Sequence, residues 1–140
     1  MTSWSLTEAQ VQRRARGRCE YCEMHQSLQG ATFHVEHIVP RCRGGSSDFD
    51  NLAWACPSCN LHKSDRVAAV APGADQEVLL FHPRVDKWDD HFCWDGHRVV
   101  GRTLTGDATI AALVLNHDRR IRIRQAEALF GLFPPRMLDT

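Results

Sequence analysis

The sequence predicts an α+β fold tied together by a four-cysteine metal site. Two CxxC pairs, Cys19/Cys22 and Cys56/Cys59, stand 33 residues apart. Between them lie an alternating, strand-like run and a polar loop, and beyond them strand-like and helix-like segments follow in mixed order. With 140 residues, 43% hydrophobic and 24% charged, the chain has the size and composition of one folded, water-soluble domain, which excludes disordered, fibrous and long multidomain classes.

The elements follow in order. Ser5 to Gly17 reads as a helix capped by Ser5 or Thr7, with few apolar positions and a basic face left exposed. After the first knuckle and the Gln29-Gly30 turn, ATFHVEHIVP alternates like a strand that Pro40 and the loop RCRGGSSD cut off. Asp50 to Ala55 is expected as a short helix, and a further helix is expected to run through NLHKSDRVAAV until Pro72-Gly73 stops it. EVLLFHP, DKWDDHFCW and RVVGRTL are strand-like. LTGDATIAALVLN is expected as a helix capped by Thr105 or Asp107, with Ile110, Leu113, Val114 and Leu115 facing the core, and HDRRIRIRQAEALFGLF as the last helix. The expected organisation is a core over 1–71 with its N-terminal helix, and a C-terminal strand and helix extension over 72–140 that packs on it.

Cys19, Cys22, Cys56 and Cys59 suit one tetrahedral structural Zn²⁺. The N-terminal stretch MTSWSLTEAQVQRRARGR has no apolar stretch between a basic start and a cleavage site, and no apolar run approaches the ~18 residues that span a bilayer, so the expected setting is cytoplasmic and away from membranes. A disulfide framework is disfavoured there. One CxxC alone also reads as a redox pair, but a redox dithiol protein calls for a βαβ pattern that is not evident here. Cys42 and Cys93 have no partner in sequence and read as small packed residues.

Lys+Arg and Asp+Glu number 17 each, so contact with nucleic acid has to come from local patches. Arg13, Arg14, Arg16 and Arg18 form one, and Arg119, Arg120, Arg122 and Arg124 another; each also reads as a solvated helix face. Between the knuckles lie His34, Glu36, His37 and Asn51, and Asn60 follows Cys59 directly. On a strand His34 and Glu36 share a face and His37 takes the other, so joint action needs a turn that reorients one of them. Taken singly, Asn60 also reads as a helix cap, Lys63 as a solvated charge and Gly44-Gly45 as a plain turn.

FHVEHIVPRCRGG followed by DNLAWACPSCNLHKSD resembles the HNH endonucleases over roughly residues 19–66: an acidic residue before His, Ile-x-Pro, Gly-Gly, Asn-Leu, CxxC, Asn and Lys, in that order. The resemblance implies a small ββα-metal core with His37 as general base, Glu36 and Asn60 as ligands of a catalytic cation, and Asn51 holding the loop and the His37 ring through backbone hydrogen bonds. It also implies that the four cysteines bind the structural zinc, and it leaves His34 as a further ligand or a substrate contact. Glu36 stands where Asp is more usual, and Asn60 fills the third family position. The stretch LLFHPRVDKWDDHF, with the helix around GDATIAALVLN, is similar to the C-terminal portion of a bacterial subgroup.

The chemistry is coherent apart from the family. Imidazole titrates near neutrality and can deprotonate water, and a carboxylate with an amide makes an oxygen site suited to Mg²⁺ or Mn²⁺ at a phosphodiester. Arg41, Arg43 and Lys63 stand in sequence where they could contact flanking phosphates. The expected activity is metal-dependent cleavage of nucleic acid, DNA first. The alternative is a zinc-knuckle module that binds nucleic acid without cutting it, which has no need of a base or a second metal.

Overall fold

The computed structural model describes residues 3–135. Helix α1 (Ser3–Arg14) buries Val11 on its thin apolar stripe, and Arg14 at its end donates to the carbonyls of Phe49 (2.9 Å) and Leu52 (2.6 Å). The chain then turns through Arg16 and Gly17, both at positive φ (56° and 73°), a conformation glycine adopts without strain. The expected basic face is therefore partly taken up inside the fold: Arg14 is engaged by carbonyls, and Arg18 is buried, donating to Glu23 O and Leu132 O at 2.9 Å each.

Strand β1 (His34–His37) pairs antiparallel with β2 (Leu52–Ala55), matching His34 with Ala55, Val35 with Trp54, Glu36 with Ala53 and His37 with Leu52. A helix over Asp50 to Ala55 is thus corrected: a 3-10 turn covers Phe49–Asn51 and a strand follows. All four β2 side chains are buried, so the segment has no polar face to turn to water as a surface helix would. Its other edge is also satisfied, since Glu20 N donates to Trp54 O (2.8 Å) and Trp54 N to Glu20 Oε1 (3.0 Å). Helix α2 (Pro57–Lys63) completes a ββα unit; Pro57 opens it and Cys56 Sγ caps it by accepting from Cys59 N at 3.3 Å.

From the end of α2 onward further expectations change. The helix does not run on to Val70: it stops at Ser64 (φ 53°), and Ala68–Val70 forms β3, paired with β4 (Glu77–Leu79). Pro72-Gly73 is the bend of that hairpin, with Gly73 at φ 79°, and not a helix stop. The first half of DKWDDHFCW is one helical turn, α3 (Trp88–His91), where two aspartates suit the amino end; Phe92–Asp95 forms β5 and pairs with β6 (Arg98–Gly101). Helix α4 (Leu104–Ala112) is capped by Thr103 Oγ1, which accepts from Gly106 N at 3.0 Å, while Thr105 bonds Leu79 O. Helix α5 (Asp118–Leu129) is the last element among the described residues.

The fold is α+β, built among the described residues from helices and three separate antiparallel strand pairs. Aromatic rings join the segment after α2 to the knuckle: Phe81 packs edge-on against Tyr21 (6.5 Å) and Phe92 (5.3 Å), and Trp88 Nε1 donates to Tyr21 O at 3.0 Å. Leu113 and Leu115 are buried as expected, whereas Val114 is half-buried at φ 52°. Cys42 and Cys93 are exposed, contrary to the packed positions expected for them. No helix among the described residues is long and apolar enough to cross a membrane. Because Trp88 closes this aromatic contact and its indole N–H is bonded, Trp88→Ala should cost about 3–5 kcal/mol of stability. A urea unfolding curve checks this, and Trp88→Phe, which keeps most of the ring contact, should lose much less.

Candidate active site and metal centre

Both CxxC pairs sit at tight turns. Cys19 N donates to Met24 O (2.9 Å) and Glu23 N to Cys19 O (2.8 Å) in the first; the second opens α2. The four cysteines are each fully buried, and their Sγ atoms lie within 4.8 Å of one another. Four Zn–S bonds of about 2.3 Å at tetrahedral angles place sulfurs about 3.8 Å apart, and Cys22 Sγ lies 3.8 Å from Cys56 Sγ. The donor set and spacing fit zinc, so the cluster suggests a zinc site. Arg120 from α5 reaches it, with Nη2 2.8 Å from Cys59 Sγ and 3.6 Å from Cys56 Sγ. Sequence reasoning placed Arg120 in a surface patch; its contact spans 61 positions and leaves no local signal.

Asn51 closes the loop between the strands. Its Oδ1 accepts from Val39 N (2.9 Å), and its Nδ2 donates to Val39 O (3.0 Å) and Ser46 O (2.7 Å). Gly45 is required by the same packing, because a Cβ there would lie 1.7 Å from Val39 O. The loop so held carries Ser47, whose Oγ is 2.9 Å from His37 Nε2 and accepts from Arg41 Nη2 at 3.1 Å. Trp4 of α1 lies parallel to the His37 ring, with centroids 6.1 Å apart and planes at 5°. Partial burial, with the Arg41 charge adding to it, pushes the His37 imidazole below its ordinary value of 6.5.

Glu36 lies in different surroundings. The strand keeps its alternation through His37, so Glu36 points away from His37, is 6% exposed, and meets Lys63 Nζ at 2.8 Å and the Tyr21 hydroxyl at 3.1 Å through Oε1. Burial pushes its carboxyl up, against the opposing pull of Lys63 and Tyr21. Its Oε2 is buried with no protein partner. Lys63 corrects one expectation outright: its ammonium does not face solvent where phosphates would lie but is 1% exposed, held between Glu36 and Ile38 O (2.8 Å). An amphipathic lysine on the inner face of α2 buries its stem and uses the Glu36 carboxylate as its counter-charge.

The remaining candidates lie around these two groups. His34 is exposed at the start of β1, and Asn60 is half-buried in α2, its N–H donating to Cys56 O at 3.0 Å. Arg41 and Arg43 are exposed on the loop, Arg43 Nε donating to Asp65 O at 2.6 Å. Among the described residues, the four cysteines alone form a group of three or more His, Cys, Asp or Glu ligand atoms close enough to share an ion. Glu36, His34 and His37 therefore form no such cluster, and Glu36 Oε2 is the donor left open beside α2. Sequence reasoning missed Tyr21, Ser47 and Trp4; the first two stand inside motifs already singled out, while Trp4 carries no local sign of its stacking.

Comparison with known proteins adds one finding: residues 19–66 match the family model described as HNH endonuclease. The match covers both knuckles, the β1–β2 hairpin, α2 and the loop that Asn51 closes. No curated protein and no solved structure matches the chain. Removing the Asn51 clamp should loosen the loop more than the fold: Asn51→Ala leaves buried backbone groups unpaired and should cost about 2–3 kcal/mol. Hydrogen exchange should report faster amides from Val39 to Ser47, with the four-cysteine region unchanged.

Proposed function

We propose that the protein is a metal-dependent nuclease that hydrolyses phosphodiester bonds in nucleic acid, with DNA as the first substrate to test. The observation that carries this reading is the HNH endonuclease match over residues 19–66, which holds His37, Asn51 and the four cysteines in the family's order. In this reading the cysteines hold a structural zinc that braces the hairpin against α2. Asn51 fixes the loop, and His37 is the general base.

His37 suits that task because partial burial and the Arg41 charge favour its neutral form and it is held between Trp4 and Ser47. In the tautomer with Nε2 unprotonated, Ser47 Oγ, which accepts from Arg41 Nη2, donates to His37 Nε2, and that nitrogen is the one a base would use. A water that replaces the serine contact would be deprotonated there. Arg41 and Arg43 hold the phosphates on either side of the scissile bond. Glu36 through Oε2, with Asn60 and His34, would hold a Mg²⁺ or Mn²⁺ ion; when bound, the cation supplies charge to the phosphate and to the leaving 3′ oxygen. The unpartnered Oε2 supports that assignment, and Lys63 and Tyr21 then act by fixing the other oxygen of the same carboxylate.

One observation favours a second reading. Lys63 already neutralises Glu36 inside the protein, on the face of β1 opposite His37 and with no turn that reorients either residue, which fits a zinc-knuckle module that binds nucleic acid without cutting it. Incubation of supercoiled plasmid with the purified protein, with and without Mg²⁺ or Mn²⁺, separates the two. Nicked or linear product that depends on the ion supports the nuclease; binding without product in either ion supports the module.

His37→Ala should lower the cleavage rate roughly 10²–10⁴-fold while leaving zinc content and the melting midpoint close to the parent. The neutral imidazole is the active form, so activity should be lost as pH falls through a midpoint below 6.5, the ordinary histidine value, and be level above neutrality. A midpoint above that value would remove His37 as the base.

Glu36 can be tested separately. Glu36→Ala should raise the Mn²⁺ concentration for half-maximal cleavage more than Asn60→Ala does, because a carboxylate brings charge and an amide only a dipole. An unchanged midpoint in Glu36→Ala would show that this carboxylate serves Lys63 alone.

A further inference from the structure

We propose that the C-terminal extension completes the four-cysteine metal centre: Arg120 of α5 is the buried counter-charge of the Cys56 and Cys59 thiolates, and it couples retention of zinc to the docking of α5. The proposal rests on the cysteines as a zinc site and is independent of nuclease chemistry.

A divalent zinc ion held by four thiolates leaves two negative charges in a fully buried setting, and buried charge is tolerated only when it is paired. Arg120 is 3% exposed, and its planar fork is divided between two jobs. Nη2 lies 2.8 Å from Cys59 Sγ and 3.6 Å from Cys56 Sγ, while Nη1 donates to Leu113 O at 2.8 Å. The second contact fixes the plane of the guanidinium, so the first is preorganised. Arg124, one turn further along, is equally buried but donates to the carbonyls of Leu115 (2.6 Å) and His97 (3.0 Å), which leaves Arg120 as the arginine that touches sulfur.

Helix α5 meets the first knuckle as well. Glu127, two turns after Arg120, accepts from His25 N at 2.7 Å, just past the Cys19/Cys22 turn. One helix therefore bonds to segments beside both cysteine pairs, and its only cation on the sulfurs comes from a position 61 residues away from Cys59. Coupling between two such sites is reciprocal: zinc strengthens the docking of α5, and docked α5 strengthens the hold on zinc.

The test uses the full chain loaded with zinc and follows transfer of the metal to a chromophoric chelator. Arg120→Gln should release zinc roughly 10–100-fold faster than the parent, the range for loss of a partner just outside a metal's ligands. Arg119→Gln, an exposed neighbour, should release it at the parental rate, and Arg120→Lys should fall between, since it keeps the charge and loses the fork. With Co²⁺ in place of zinc, the sulfur-to-metal absorption band should move in Arg120→Gln and Arg120→Lys, because losing an N–H···S contact changes the donor strength of the sulfur. A merely structural role would lower the melting midpoint without moving that band. Parental release and an unshifted band in Arg120→Gln overturn the proposal; if that variant does not fold, the same two results in Arg120→Lys overturn it.

Discussion

Most of the molecule is organised by four sulfur atoms brought within 4.8 Å of one another. The hairpin of β1 and β2 is only four residues long on each side, too short to be stable alone, and α2 has seven residues. The close approach of the four cysteines, from the turn before β1 and from the start of α2, brings these small elements together at one point. Once Cys56 and Cys59 are held, α2 has a fixed start and a fixed rotation, and that rotation carries Lys63 inward to Glu36. The brace and the polar pair beside it are thus consequences of one constraint.

Alternation along β1 then divides the candidate chemistry. Glu36 and His37 are neighbours in sequence, yet a strand sends successive side chains to opposite faces. Glu36 joins Tyr21 and Lys63 under α2, while His37 joins Trp4 and Ser47 beneath α1 and the loop. Each group is held by partners from separate segments, so its orientation does not depend on the other. The Asn51 bonds serve the second group, because they shape the loop from which Ser47 approaches the imidazole.

The C-terminal segments share one buried cluster with the cysteines, through Phe81, Trp88, Phe92, Leu113 and Leu115 among others. Trp88 bonds Tyr21 O, Arg66 bonds Ala112 O at 3.1 Å, and Arg120 meets the sulfurs. Trp88 and Arg120 are buried and Arg66 half-buried, and their contacts tie α3 and α5 to the segments around the four cysteines and α4 to the stretch after α2.

Sequence alone determined the four-cysteine set, the α+β class and the order of motifs from His34 to Lys63, because cysteine spacing and glycine, proline and asparagine positions are local and chemically specific. It also placed α1, α4 and α5 to within a few residues, since runs of this length carry their own helical signal. It erred at Leu52–Ala55 and Ala68–Val70, where short apolar runs fit either structure and pairing with strands elsewhere in the sequence, His34–His37 and Glu77–Leu79, settled the matter. Lys63 and Arg120 show the deeper limit. A charged residue reads as solvated in sequence because its burial depends on a counter-charge supplied by another segment, Glu36 for one and the cysteine thiols for the other. Only the tertiary structure brings those partners within reach, and with them it decides which charges lie inside.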